Sequence, residues 1–300
     1  RSNPMLADVV PDVALDFAEI RSYGAASLEE LLADLEPLSE SSGGGAPAIR
    51  LNGRRISGFR EIRNYPPEAL ARVEILPEAV ALKFGFRANQ KVINFILRER
   101  FHAITGRGGV GATTDSGQSL ADIDVSTLRI RDDTRWNVDF EYAFQDALSE
   151  SDRDIISVSP DASADRTLLP EQQSVDVTAS YSHFLPGDIS ASYVGGIEAV
   201  ESSREIARSD LSDTLARDTD EIGVQAQFVI GKVHADWNWT VNGGYAYRDT
   251  DTETATDPIS GFQEGTESIS ETANLEGVLF TKLFALPAGD VVSTFKLGAD

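Results

Sequence analysis

No cysteine occurs in the 300 residues, which excludes disulfides, zinc–thiolate sites and cysteine nucleophiles. Cations are scarce: 26 Lys and Arg stand against 49 Asp and Glu, a formal net charge of −23 with a pI near 4.4. That balance argues against a nucleic-acid partner, because phosphate binding needs Lys and Arg in clusters. The three histidines, His102, His183 and His234, fall on separate segments without HxH or HxxxH spacing. Neither a metal site nor a histidine base is expected from them. No run of eighteen apolar residues exists, so no helix is expected to span a membrane. The mean hydropathy of −0.20 leaves a membrane β-barrel open, since half of each barrel strand is polar. No signal peptide is legible, and the start Arg1-Ser2-Asn3-Pro4 reads as processed or cut.

What the chain does have is alternation. Trp136, Val138, Phe140, Tyr142 and Phe144 occupy every second position, with Asn137, Asp139, Glu141 and Gln145 between them. Period two marks a β-strand with one oily and one wet face. The same pattern recurs in Val175, Val177, Ala179, Tyr181, in Val224, Ala226, Phe228, Ile230, and in Ala235, Trp237, Trp239, Val241. From about residue 101 the chain reads as hairpins, with strands near 101–113, 120–131, 134–146, 172–185, 188–200, 221–231, 233–248, 268–285 and 290–299. Many of these segments are about twice the usual strand length and match the roughly nine to eleven tilted residues that cross a bilayer. Tight turns at 131–134, 185–188, 231–232 and 286–290 alternate with long acidic links at 147–171, 201–220 and 249–267. Short turns on one side and long loops on the other are the rhythm of an outer-membrane barrel.

Residues 1–98 follow another grammar. Ser27 with Glu30 reads as a capping box opening a helix. Leu28, Leu31, Leu32 and Leu35 form its apolar stripe, and Pro37 is expected to end it. Ser41–Gly45 reads as a linker. Asn52-Gly53, flanked by Ala48–Leu51 and Arg54–Ile56, is a two-residue hairpin signal. Pro66-Pro67-Glu68 predicts a short helical turn, and strands are expected at 72–76 and 91–97.

The runs Ala48–Ile56, Tyr65–Leu76, Ala81–Gly85 and Val92–Arg98, in that order and followed by hairpins, resemble the plug domain of TonB-dependent outer-membrane receptors, with wording close to alphaproteobacterial members. Pro77-Glu78 and Gln90-Lys91 stand where such plugs commonly carry glycines, and no TonB box is legible before residue 48. The resemblance implies a mixed α/β plug domain over 1–98, followed over 99–300 by an incomplete antiparallel transmembrane β-barrel. About nine of roughly 22 strands are expected here, so the chain is read as the N-terminal part of a longer protein. It further implies a non-enzymatic receptor and transporter in the bacterial outer membrane. Energy-coupled uptake of a scarce nutrient (siderophore, cobalamin or carbohydrate class) would run through the TonB complex. The expected partners are that complex, a small-molecule ligand and outer-membrane lipid, with no cofactor. The alternative reading is a soluble or surface β-rich adhesion or carbohydrate-binding module.

Within that resemblance, residues 57–64 are expected on the plug apex, and Arg54, Arg55, Phe59, Arg60, Arg63 and Asn64 are the candidate substrate-binding residues. A basic, aromatic-bearing loop suits an anionic ligand. The plainer reading is that these arginines pair with carboxylates lining the barrel wall. Arg72 matches a plug arginine that latches the plug to the barrel. The Gly106–Gly111 run is read as glycines of the first barrel strand passing the plug, not as a phosphate loop, because no helix follows. Asp132-Asp133 and the scattered acids are read as turn and loop residues in preference to a glycosidase pair.

Overall fold

The computed structural model describes residues 9–41, 46–81, 84, 86, 90–114, 117–153, 166–207, 214–234, 236–257, 262–287 and 289–300. The linker expected at 41–45 lies outside these beyond Ser41. A five-stranded sheet comprises β1 (Val13–Asp16), β2 (Ala48–Leu51), β3 (Arg54–Arg55), β4 (Leu70–Leu76) and β5 (Val92–Leu97) in the order β1-β4-β5-β2-β3. Only β2 and β5 run parallel within it. Around it lie α1 (Phe17–Ser22), α2 (Leu28–Asp34), α3 (Glu36–Ser39) and α4 (Glu78–Ala81).

Local chemistry explains the elements, corrects two expectations and adds a helix. Ser27 does cap α2, accepting from the Glu30 N–H at 3.2 Å, but the Glu30 carboxylate accepts from Ala26 N rather than Ser27 N. The full reciprocal box instead opens α1, between Asp16 and Glu19, an element the hydrophobic pattern did not announce. Pro37 does not terminate α2, which has already ended at Asp34. It occupies the first turn of α3, where its missing N–H costs nothing. The Asn52-Gly53 turn holds φ of 51° and 72°, the left-handed pair that a tight hairpin requires. Leu28, Leu31 and Leu35 are fully buried beside Ile75, Ile93 and Phe95, while Leu32 is half-buried at the margin.

The second sheet has nine strands, all antiparallel: β6 (Arg100–Ala112), β7 (Ser119–Arg131), β8 (Thr134–Gln145), β11 (Glu171–Leu185), β12 (Ile189–Ala207), β13 (Thr214–Val233), β14 (Trp237–Asp257), β15 (Phe262–Leu286) and β16 (Gly289–Ala299). A small ribbon, β9 (Leu148–Ser149) with β10 (Thr167–Leu169), sits in the connection between β8 and β11. Strand order follows chain order, so β6 and β16 are the two edges. The links expected at 201–220 and 249–267 are largely strand. Pairing continues through polar residues, with Ser203 opposite Asp218 and Thr219 opposite Thr252. Backbone pairing needs no apolar side chain, so the ladders outlast the apolar pattern that marked the strand ends in the sequence.

Register assigns the faces. Phe140 lies opposite Val125 and Val177, and Val177 opposite Ile197, which puts one apolar set on the outer face. Asn137, Asp139, Asp176, Thr178, Ser180 and Ser192 lie on the inner face and are buried. The five-stranded unit packs against that inner face, and its core takes in Leu128 and Ile130 of β7. We expect Leu31→Ala to destabilise the five-stranded unit by about 2–5 kcal/mol through cavity formation. Hydrogen exchange should show lost protection in β4 and β5 with the outer ladders β12–β14 unchanged.

Candidate functional site

The seam between the two sheets carries the charged chemistry. A 3-10 turn over Phe59–Glu61 and the residues that follow it project side chains into the inner face. Arg60 binds the Asp176 carboxylate and donates from Nε to Thr178 Oγ1 at 3.1 Å. With its amide oriented to satisfy both groups, Gln225 also accepts from Arg60. Arg63 Nη2 donates to Glu141 Oε1 at 2.8 Å and lies 3.6 Å from Asp176. Asn64 Nδ2 donates to the same Glu141 oxygen at 2.7 Å. Two cations and an amide thus meet two carboxylates at a half-buried boundary.

Deeper in the seam the polarity reverses. Glu61, with no exposed surface, accepts from Ser57 N at 2.9 Å, from Ser57 Oγ at 2.6 Å and from Ser192 Oγ at 2.6 Å, and it pairs with Arg135 of β8. The Arg135 guanidinium lies 5.9 Å from the Tyr65 ring centroid, and the Tyr65 hydroxyl donates to Asn137 Oδ1 at 3.3 Å. Asn137 in turn donates to Asp139, which also accepts from Ser126 Oγ. The result is a polar chain from the 3-10 turn through β8 into β7, hydrogen-bonded except where Arg135 meets the Tyr65 ring. Most of its buried polar groups have partners that replace water, Arg135 Nε being the exception.

The remaining candidates separate. Arg55 Nη1 lies 2.9 Å from Glu276 Oε1 of β15, an ion pair without hydrogen-bond alignment, and Lys296 shares that carboxylate. Arg54 stacks 4.7 Å from the Phe184 ring centroid and reaches Ser190 Oγ at 3.4 Å. Phe59 is half-buried against the core of the five-stranded unit. Arg72 is placed apart from the seam: it pairs with Glu74 on its own strand and is half-exposed. Arg50 emerges as a structural cation that sequence inspection passed over. It donates twice to Gly53 O, at 3.0 and 2.8 Å, and lies 3.7 Å from the Phe84 ring centroid. Burial, then Arg55 and Arg54, push Arg50 down to about 9. Burial, with Arg63 beside it, also lowers the Arg60 pKa.

Sequence inspection also missed Glu61, Tyr65 and Arg135 as a set. The available signal was an acid and an aromatic inside an otherwise basic stretch, facing a strand whose wet side begins with a cation. Two cavities border the seam. One of about 550 Å³ is lined by Glu29, Glu30, Arg63, Arg107 and Glu141, and another of about 240 Å³ by Arg60, Glu198, Gln225 and Arg248. The glycine run of β6 flanks the first cavity, where Arg107 pairs with Glu30 at 3.3 Å. Among the described residues no group of three or more His, Cys, Asp or Glu is arranged to hold a metal ion. No helix among them is long and apolar enough to cross a membrane, which says nothing of strands.

No family model matches the chain, and no curated protein matches it. Solved structures do. The copper transporter OprC is 11% identical with a TM-score of 0.44, over 95% of this chain and 59% of its own. The ferric yersiniabactin uptake receptor FyuA from Yersinia pestis is 12% identical with a TM-score of 0.42, over 99% and 61%. The ferric preacinetobactin receptor BauA from Acinetobacter baumannii is 13% identical with a TM-score of 0.36, over 98% and 61%. The chain therefore spans about three fifths of the length of these structures. At this level of similarity the matches carry no argument about ligand or activity.

Two outcomes are expected. Glu61→Gln leaves Arg135 buried without its counter-charge and should cost about 3–5 kcal/mol. Protease sensitivity of the five-stranded unit should rise, and adding Arg135→Met should restore most of the resistance. Burial raises the Tyr65 pKa to about 12, above its unfolded value near 10. The neutral phenol is the form that folding favours, so its contribution is complete below pH 10 and is lost as the pH rises toward 12. Urea midpoints should fall across that window in the parent, and Tyr65→Phe should flatten this part of the dependence.

Proposed function

We propose that the chain is the plug and the first barrel strands of a TonB-dependent outer-membrane receptor. Residues 1–98 form the plug and 99–300 the first part of a transmembrane β-barrel. The observation that carries this reading is the contrast between the two faces of the nine-stranded sheet. Its inner face is largely polar, and the five-stranded unit packs against it over β7, β8, β11 and β12. Its outer face exposes Ile104 (71%), Val125 (44%), Phe140 (40%), Ile197 (57%) and Leu275 (53%) in one continuous apolar band. Such a band is far larger than soluble monomers leave in water. On β13 the outward apolar residues run from Ile222 to Ile230, a span in keeping with the roughly nine to eleven tilted residues that cross a bilayer. The edges β6 and β16 can lie in lipid only when further strands close them, because unpaired backbone is not tolerated there.

In this reading the protein is not an enzyme. It binds a scarce small-molecule nutrient outside the cell, of the siderophore, cobalamin or carbohydrate class, and passes it to the periplasm with energy delivered through TonB. Arg54, Arg55, Phe59, Arg60, Arg63 and Asn64 make up the binding surface of the plug. Their cationic character favours an anionic ligand. Such a ligand competes with Asp176 and Glu141 for Arg60 and Arg63, and so loosens the outer part of the seam while Glu61–Arg135 still holds. Ligand binding then shifts the plug toward a releasable state through differential contacts, which is the only way a ligand biases an equilibrium. Among the described residues the ion pairs across the seam come from Arg55, Arg60, Arg63, Arg107 and Arg135. Arg72 keeps the family's latch role only toward strands beyond these nine.

Membrane fractionation tests the reading. The protein should sediment with outer membranes and resist urea extraction, whereas recovery in the soluble periplasm favours the adhesion or carbohydrate-binding alternative. Phe140→Arg should cost about 2–4 kcal/mol if the residue faces the bilayer midplane. It should sharply reduce the heat-modifiable folded form on electrophoresis, while Asp139→Asn on the inner face should reduce it little.

A further inference from the structure

The few cations of this acidic chain are unevenly placed on the outer face. On the short-turn ends of β6 and β7, Arg100 lies directly opposite Arg131, and His102 directly opposite Arg129. All four are exposed. Arg100 has a counter-charge in Asp132 at 3.2 Å. Among the described residues neither the Arg129 nor the Arg131 side chain has an ion-pair or hydrogen-bond partner. Like charges directly opposed on a ladder are unfavourable unless an anion lies between them. The other end of the same face is acidic: Glu201, Asp220, Asp251 and Glu267 stand in a single cross-strand row.

The cationic patch adjoins an apolar groove. Arg129 is the cross-strand partner of Trp136, and the same row continues through Tyr181, Tyr193 and Phe228. One step toward the long loops, the row Val138, Ala179, Gly195 and Ala226 is low. These two rows line an open, apolar groove of about 540 Å³. Small side chains between ridges of aromatic and branched ones leave an open apolar trough. Guanidinium groups at its end match phosphate geometry through paired N–H donors.

We propose that this patch and groove form a binding site for an anionic phospholipid of the leaflet at the short-turn end. Arg129 and Arg131 hold the headgroup phosphate, Trp136 sits at the interface, and an acyl chain lies along Val138, Ala179, Gly195 and Ala226. Charge complementarity selects the occupant, since a zwitterionic lipid offers its own cation to the same arginines and a free anion makes no use of the groove. The inference rests on the reading that the outer face lies in lipid.

The test is native mass spectrometry of the detergent-purified full-length protein titrated with phosphatidylglycerol, phosphatidylcholine or inorganic phosphate. Phosphatidylglycerol should bind about tenfold more tightly than phosphatidylcholine. The double variant Arg129→Gln/Arg131→Gln should lose that preference, Arg129→Lys/Arg131→Lys should keep most of it, and Arg248→Gln on the inner face should keep all of it. Equal binding of both lipids by the parent, full preference in the glutamine variant, or displacement of phosphatidylglycerol by phosphate at comparable concentration would overturn the site. A glutamine variant that fails to fold leaves the decision to the parent's lipid preference, phosphate competition and the lysine pair, whose loss of preference also overturns it. Insertion into phosphatidylcholine vesicles, measured in parallel, separates the two failures: a parent that inserts but shows no preference refutes only the site, while one that does not insert refutes the membrane reading.

Discussion

Glu61, with no exposed surface, faces Arg135, whose side chain keeps only 12% of its exposure, and the docking of the two sheets depends on that pair being complete. A buried ion pair of this kind is a poor source of net stability, because desolvation offsets most of the attraction. Its strength is as a constraint. Either partner alone would be an uncompensated buried charge, so any docking that separates them is strongly disfavoured. Ser57, Ser192 and Tyr65 then align around the pair, and the register of the five-stranded unit against β8 and β12 follows.

Around this fixed point the seam is graded. Arg60, Arg63 and Asn64 meet Asp176 and Glu141 where solvent still reaches, so those contacts exchange with water or with another anion at little cost. The deeper chain through Asn137, Asp139 and Ser126 has no such freedom. A seam that is soft at one level and rigid at another can yield in stages. This is the property that the proposed plug role requires, since such a unit must respond to ligand and still stay seated.

How much of this was legible from residues alone varied with the range of the interaction. Ser27 announced the start of α2, and Asn52-Gly53 announced its hairpin, because a cap and a tight turn are closed by residues within a few positions. Pro37 misled, since its ring is as suitable for a first helical turn as for a stop. The acidic stretches near 201–220 and 249–267 looked like loops because the apolar alternation fades there, yet the backbone goes on pairing. The arginines of 54–63 were visible as a cationic group, but nothing local indicated that Glu61 among them would be the most deeply buried charge.

The alternation of apolar and polar residues, read from the sequence by itself, determined that β8, β11, β13 and β14 would have one oily and one wet face, because successive strand side chains must point to opposite sides. It also determined the caps and the tight turns, which depend on adjacent dihedral angles. Only the tertiary structure decided which cation meets which carboxylate. Glu61 and Arg135 are 74 positions apart, and Arg60 and Asp176 are 116 apart. Such partners are set by how two sheets dock and by the demand that every charge left without water find its opposite, a condition that no short window of sequence contains.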